Sequence, residues 1–183
     1  TPGTDRLIGT SFGEVIRGGG GYDWIEGRGG NDRLYGEDAA GEPLDHTDDH
    51  LFGGAGDDLL DGGTGNDVLD GGVGNDIFVF GQGSGHDMVV NWDQATDQAS
   101  TTDIIQLKDG LTPNDIQVKW DDDASHIVLM SVSTGETITF SIRQEGRYAG
   151  DIDAVHFADG TVWTDVDLAA MANTPTLGND VIV

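Results

Sequence analysis

The sequence predicts an all-β chain in two parts: a solenoid of very short coils, then a β-rich region that covers its end. Three observations carry this. A nine-residue phrase recurs from residue 5 to residue 89, the 183 residues include 30 glycines, and after about residue 91 the glycine cadence gives way to apolar alternation. A chain of this length can bury a core as one domain or two small ones.

The phrase is clearest in "GGAGDDLLDGGTGNDVLDGGVGNDIFVF", residues 53 to 80. In register, the acidic positions are Asp5, Glu14, Asp23, Asp32, Asp49, Asp58, Asp67, Asp76 and Asp87. Two residues after each comes an apolar side chain: Leu7, Ile16, Ile25, Leu34, Leu51, Leu60, Leu69, Phe78 or Val89. The spacing is nine residues from Asp5 to Asp32 and again from Asp49 to Asp76, with intervals of seventeen and eleven after Asp32 and Asp76. Triplets such as Val68-Leu69-Asp70 suffice only for very short strands, and Gly-Gly-x-Gly tolerates tight turning. Each repeat therefore reads turn, strand, turn, strand, and offers one inward side chain that is buried only by stacking on its neighbours.

Stacking aligns the acidic positions into columns. The chain carries 34 acidic against 8 basic side chains, a formal charge of -26, and no Lys or Arg lies between residues 34 and 107. A cation must therefore enter the column. Carboxylates and the main-chain carbonyls of glycine turns form an all-oxygen set, which suits Ca²⁺ better than Zn²⁺ or Cu²⁺, with Mg²⁺ second because it demands a stricter octahedron. The same charge repels phosphate backbones, so no nucleic-acid partner is expected. The absence of Cys removes disulfides, thiolate metal sites and cysteine nucleophiles. No apolar run approaches the roughly 18 to 20 residues of a membrane span, so a soluble chain is expected.

Residues 53 to 79 resemble the G-G-x-G-x-D-x-U-x calcium-binding repeat of RTX (repeat-in-toxin) proteins. The resemblance implies a right-handed parallel β-roll in which each loop binds Ca²⁺ jointly with the loop two repeats later, on the same edge. It implies that the lower loop gives the carbonyls of its second and fourth residues and its Asp, and the upper loop those of its first and third residues and its own Asp. Carried over, Gly54, Gly56 and Asp58 face Gly71, Val73 and Asp76 around one ion. Arg28, Gly30 and Asp32 likewise face Gly53, Ala55 and Asp58. Gly63, Gly65 and Asp67 face the loop of Gln82, Ser84 and Asp87. The same pattern adds Gly19, Gly21 and Asp23, then Gly27 and Gly29, Gly36, Asp38 and Asp49, Gly62 and Thr64, and Gly72 and Gly74. Loop pairs counted this way give about five to seven ions.

Two departures matter. Phe12 and Glu14 replace the fourth-position glycine and the Asp, so that turn is expected to hold no ion. "GEDAAGEPLDHTDD", residues 36 to 49, either adds an eight-residue loop or hides a degenerate turn. Pro43 would fall where an inward strand residue belongs, which favours an excursion that leaves Asp49 between Asp23 and Asp67. His46 and His50 have a spacing known from helical zinc sites, but Pro and Gly surround them and they read as a solvated loop. His86, His126 and His156 are isolated, and Ser11, Ser84 and Ser125 show no nucleophile-elbow pattern.

Beyond residue 91, "DIIQL", "DIQVKW", "HIVLMSV", "ETITFSI" and "IDAVHF" read as antiparallel strands, and "DVDLAAMA" as a helical turn or two. Trp92, Trp120, Trp163, Phe140 and Phe157 supply bulk that a roll lacks, more in keeping with core than with a ligand platform. The expected organisation is a roll over residues 1–90, a cap over 91–173, within which "LKDGLTPNDIQVKW" through "AVHFADGTVW" resembles the haemolysin-type calcium-binding related domain, and the start of a further roll over 174–183. That last expectation rests on "LGNDVIV", which restates the opening phrase "GTDRLI".

The resemblance implies a non-catalytic, calcium-dependent folding module of a large secreted bacterial toxin or adhesin, located outside the cell or on its surface. Calcium, adjacent RTX blocks, the type I secretion machinery and a cell-surface target are the implied partners. The alternatives are an accessory tail of a secreted protease, lipase or epimerase, and a glycan or cell-surface binding module. Four of the eight basic residues, Arg6, Arg17, Arg28 and Arg33, lie near the start, which leaves no extended basic face for a polyuronate.

Overall fold

The computed structural model describes residues 3–37, 46–90, 101–122, 124–142 and 152–173. The expectations placed on Asp38, Pro43, Trp92 and residues 174–183 fall outside these.

From the start, strands leave the chain alternately into two sheets. β1 (Arg6–Ile8), β3 (Trp24–Gly29), β5 (His50–Ala55), β7 (Val68–Val73) and β9 (His86–Val89) enter the first. β2 (Val15–Arg17), β4 (Arg33–Tyr35), β6 (Leu59–Asp61), β8 (Ile77–Phe80) and β10 (Asp103–Leu107) enter the second. Neighbours within each sheet run parallel and in step: Trp24 pairs with His50 and His50 with Val68, while Arg33 pairs with Leu59 and Leu59 with Ile77. This is a parallel β-roll.

Its core follows from the cadence. With a period of two along each strand, the apolar residue two places after each acidic position turns inward. Ile25, Leu34, Leu51, Leu60, Leu69 and Phe78 are completely buried in one continuous stack. Leu7 and Ile16, in the outermost coil, are only partly covered. The seventeen-residue interval is spent within a single coil, since His50 N–H bonds Asp23 O and Val68 N–H bonds Asp49 O. Asp49 thus keeps its place between Asp23 and Asp67. The eleven-residue interval lengthens β8, which adds Phe80 to the fully buried residues.

The chain then returns to the first sheet with β11 (Ile116–Trp120), β12 (Ile127–Ser131) and β13 (Thr137–Phe140), and to the second with β14 (Ile152–His156) and β15 (Val162–Thr164), before helix α1 (Asp165–Ala172). The expected strands form. However, β10 pairs in parallel with both β8 and β14, and β13 in parallel with β9, so the roll's ladders run on past residue 90. Among the described residues, antiparallel pairing is confined to β11 with β12, β12 with β13, and β14 with β15. A capping box starts α1: Thr164 Oγ1 accepts from Asp167 N–H and Asp167 Oδ2 from Thr164 N–H. Leu168 is fully buried. Trp120 and Trp163 pack against the core, Trp163 edge-on to Phe157 with ring centres 4.5 Å apart.

Candidate metal centre

The turns between the sheets build the candidate site. In the loops that end at Asp23, Asp32, Asp58, Asp67, Asp76 and Asp87 the second and fourth residues have positive φ, as at Gly54 (110°) and Gly56 (128°), a conformation glycine adopts freely. Arg28 holds a second position at 77°, a strained place for a side chain. Successive loops stack with their main chains in contact: a β-carbon on Gly56 would overlap Gly30 O, and one on Gly74 would overlap Gly56 O.

Stacking links the acidic residues into two columns, one along each edge. Along the first, Asp5 N–H donates to Asp23 Oδ1 (2.7 Å), Asp23 to Asp49 (2.8 Å), Asp49 to Asp67 (2.8 Å) and Asp67 to Asp87 (3.1 Å). Along the second, Glu14 N–H donates to Asp32 Oδ1 (2.7 Å), Asp32 to Asp58 (2.7 Å), Asp58 to Asp76 (2.9 Å) and Asp76 to Asp103 (2.8 Å). Outside each column runs a companion ladder. Asp57 N–H donates to Asn31 Oδ1, Asn75 N–H to Asp57 Oδ1 and Thr102 N–H to Asn75 Oδ1. On the other edge Asn66 N–H donates to Asp48 Oδ1 and His86 N–H to Asn66 Oδ1.

The second carboxylate oxygen is handled differently. Oδ2 of Asp23, Asp32, Asp58, Asp67 and Asp76 is buried with no hydrogen-bond partner. Each presses against the glycine that opens its own loop: Gly18, Gly27, Gly53, Gly62 and Gly71. A β-carbon on Gly53 would overlap Asp58 Oδ2 and lie 2.6 Å from Gly71 O. One on Gly27 would overlap Asp32 Oδ2 and lie 2.7 Å from Gly53 O. The missing side chain thus keeps open a pocket where a carboxylate oxygen meets a carbonyl of the next coil. Burial pushes these carboxyls up, to about 6 at Asp58, about 7 at Asp67, about 8 at Asp49 and Asp76 and about 9 at Asp87; Asp32 rises too. The N–H bond from the preceding coil pulls the other way, and neighbouring carboxylates add to the rise.

A buried, unpartnered carboxylate oxygen is costly unless a cation answers it. Among the described residues no three His, Cys, Asp or Glu side chains converge on a metal position, so a cation here takes much of its shell from the main chain. Carboxylate and carbonyl oxygens without nitrogen or sulfur fit Ca²⁺. Asp58 with Asp76, Asp32 with Asp58, and Asp67 with Asp87 are the pairs the structure brings together. Ala55 O and Val73 O accept hydrogen bonds from Gly30 N–H and Gly56 N–H, both 2.8 Å, which leaves each carbonyl one lone pair for a metal.

The irregular loops differ in detail. Glu14 turns its carboxylate back onto Thr10, accepting from the backbone N–H and the hydroxyl, and those bonds hold its pKa below the usual carboxylate range. In the loop that ends at Asp49, a β-carbon on Gly36 would overlap Asp49 Oδ2 and Gly62 O, so this turn forms the same pocket. Glu37 accepts from Thr64 Oγ1, and Thr47 O lies where a β-carbon on Gly65 would stand. In the last loop Gly83 and Gly85 are the positive-φ residues, which puts Gln82 and Ser84 at the first and third positions. Gly19, Gly21 and Gly63 occupy the corresponding turns, while Gly29 and Gly72 fall at the ends of β3 and β7.

Sequence reasoning missed Asp103 and Glu136. Asp103 closes the second column, and its one signal was an apolar residue two places on, Ile105, in a stretch without glycine. Glu136, beyond the repeats, accepts from Gly83 N–H through both oxygens (3.0 and 3.2 Å). His86 and His126 are not isolated: His86 Nδ1 lies 3.0 Å from Thr137 Oγ1, and His126 Nδ1 lies 2.8 Å from both Ser125 Oγ and Asp121 Oδ2, so one nitrogen serves both and no relay forms.

Residues 8–40 and 47–78 match the family described as the RTX calcium-binding nonapeptide repeat, in four copies. Over 105 residues the chain is 34% identical to the iron-regulated protein FrpA of Neisseria meningitidis serogroup C, a match covering 56% of this chain and 9% of that protein. The solution structure of the AlgE6R3 subunit from the Azotobacter vinelandii mannuronan C5-epimerase aligns with 100% of this chain and 87% of its own, at 24% identity and a TM-score of 0.37.

Proposed function

We propose that this chain, whose residues 8–40 and 47–78 are RTX calcium-binding nonapeptide repeats, is a non-catalytic module that takes its shape only when calcium is present. The observation that carries the reading is the file of buried Asp Oδ2 atoms without partners. Without a cation they set like charge against like in a glycine-rich chain of net charge -26, a composition that favours disorder. Ca²⁺ held between Asp23 and Asp49, Asp49 and Asp67, Asp67 and Asp87, Asp32 and Asp58, and Asp58 and Asp76 reverses that balance by binding the folded state alone.

Extracellular calcium sites manage with dissociation constants of about 10⁻⁴ to 10⁻³ M. The module is therefore unfolded inside a cell and folded outside it, which suits passage through a type I secretion channel and a place in a secreted toxin or adhesin. Circular dichroism during a calcium titration tests this. The β signal is expected to be small in chelator and to rise cooperatively in the millimolar range. An unchanged spectrum and melting temperature in chelator would overturn the reading.

A further inference from the structure

We infer that the second calcium column extends one site beyond the matched repeats, into the gap between the loop ending at Asp76 and the strand that Asp103 begins. The inference rests on the calcium reading above and assigns it a residue outside any glycine-rich phrase.

Three observations place Asp103 in register. Its Oδ1 accepts Asp76 N–H at 2.8 Å, as Asp76 Oδ1 accepts Asp58 N–H at 2.9 Å. Thr102 N–H donates to Asn75 Oδ1 at 2.9 Å, as Asn75 N–H donates to Asp57 Oδ1 at 3.0 Å, so residues 102 and 103 repeat the last two positions of a repeat loop. Ile105 pairs with Phe78 and is fully buried, which continues the inward stack.

An orphaned oxygen then points to a ligand. One coil earlier, Asp58 Oδ2 shares the pocket at Gly53 with Gly71 O of the following coil. One coil on, Asp76 Oδ2 presses on Gly71 as Asp58 Oδ2 does on Gly53, and Asp103 is the next carboxylate in the column. Asp76 is completely buried and this oxygen has no partner. A hard dication bridging Asp76 Oδ2 and the Asp103 carboxylate satisfies it with the same oxygen chemistry as the coils before. Asp103 N–H in turn donates to Asp153 Oδ2 at 3.0 Å, which anchors the new site to the strand that follows.

The test is the number of calcium ions carried by the whole chain, counted by native mass spectrometry at millimolar calcium, for the natural sequence and for Asp103→Asn. Asparagine keeps the acceptor for Asp76 N–H and removes the charge. The variant is expected to carry one ion fewer and to keep the β signal of the roll; an equal count would overturn the inference. Should the variant fail to fold, anomalous diffraction from calcium-loaded natural protein decides. A cation about 2.3 to 2.6 Å from Asp76 Oδ2 and an Asp103 oxygen supports the site, and ions in the earlier gaps with none here overturn it. A chain with no ion in any gap overturns the general calcium reading as well, so the two failures are distinguishable.

Discussion

Asp58 uses its two oxygens for two tasks. Oδ1 takes Asp32 N–H and fixes the distance between coils, while Oδ2 faces the pocket at Gly53 with no protein partner. That division was half legible in the sequence. The regular Asp positions and the lack of nearby Lys or Arg indicated a cation, but nothing in the spacing showed that one oxygen would be spent on the main chain. The glycine that opens the loop matters for space, since a methyl group there would overlap Asp58 Oδ2 and lie 2.6 Å from Gly71 O. Gly53→Ala is therefore expected to lower stability in saturating calcium by about 1 to 3 kcal/mol, the usual penalty of overpacking. It should also weaken calcium binding, with both effects read from melting curves at several calcium concentrations; an unchanged melting temperature would show that the pocket is not used.

At the scale of the coil, protons and calcium compete for the same oxygens. The folded carboxyls of Asp58, Asp67, Asp49, Asp76 and Asp87 sit at about 6 to about 9, against 3.8 for an ordinary Asp. In chelator the folded coil therefore binds more protons than the unfolded chain, and stability falls as pH rises. The contribution is complete below about 4 and lost through the window up to about 9. In chelator the β signal should be largest near pH 4 and fall away toward pH 9, with calcium restoring it at the higher pH. A chelated β signal that rose with pH would contradict the account. The nine-residue coil was legible because glycine, Asp and apolar residue each recur in step. The coil that starts at Asp103 was not, because the sequence from residue 86 to residue 109 holds no glycine, and it is the hydrogen bonds to Asp76 and Asn75 and the pairing of Ile105 with Phe78 that reveal its register.

Over the whole molecule, the two sheets run from the repeats into the second half without a break in their pairing. β10 joins β8, and β13 joins β9, so these strands hold the last coils in place while α1 and the aromatic pair Phe157 and Trp163 complete the end. Alternating patterns revealed these strands one by one. Their parallel attachment was hidden, because alternation fixes which face is buried and says nothing of the neighbouring strand's direction. The consequence is one continuous core over acidic columns that repel one another, so shape depends on what neutralises the columns. Hydrogen exchange at the backbone amides of Asp49, Asp58 and Asp67, each bonded to the next Asp in its column, reports this most directly. Strong protection in calcium and exchange at the rate of an unstructured chain in chelator is the predicted result. Equal protection in both would show that apolar packing alone holds the roll, and would contradict the central claim.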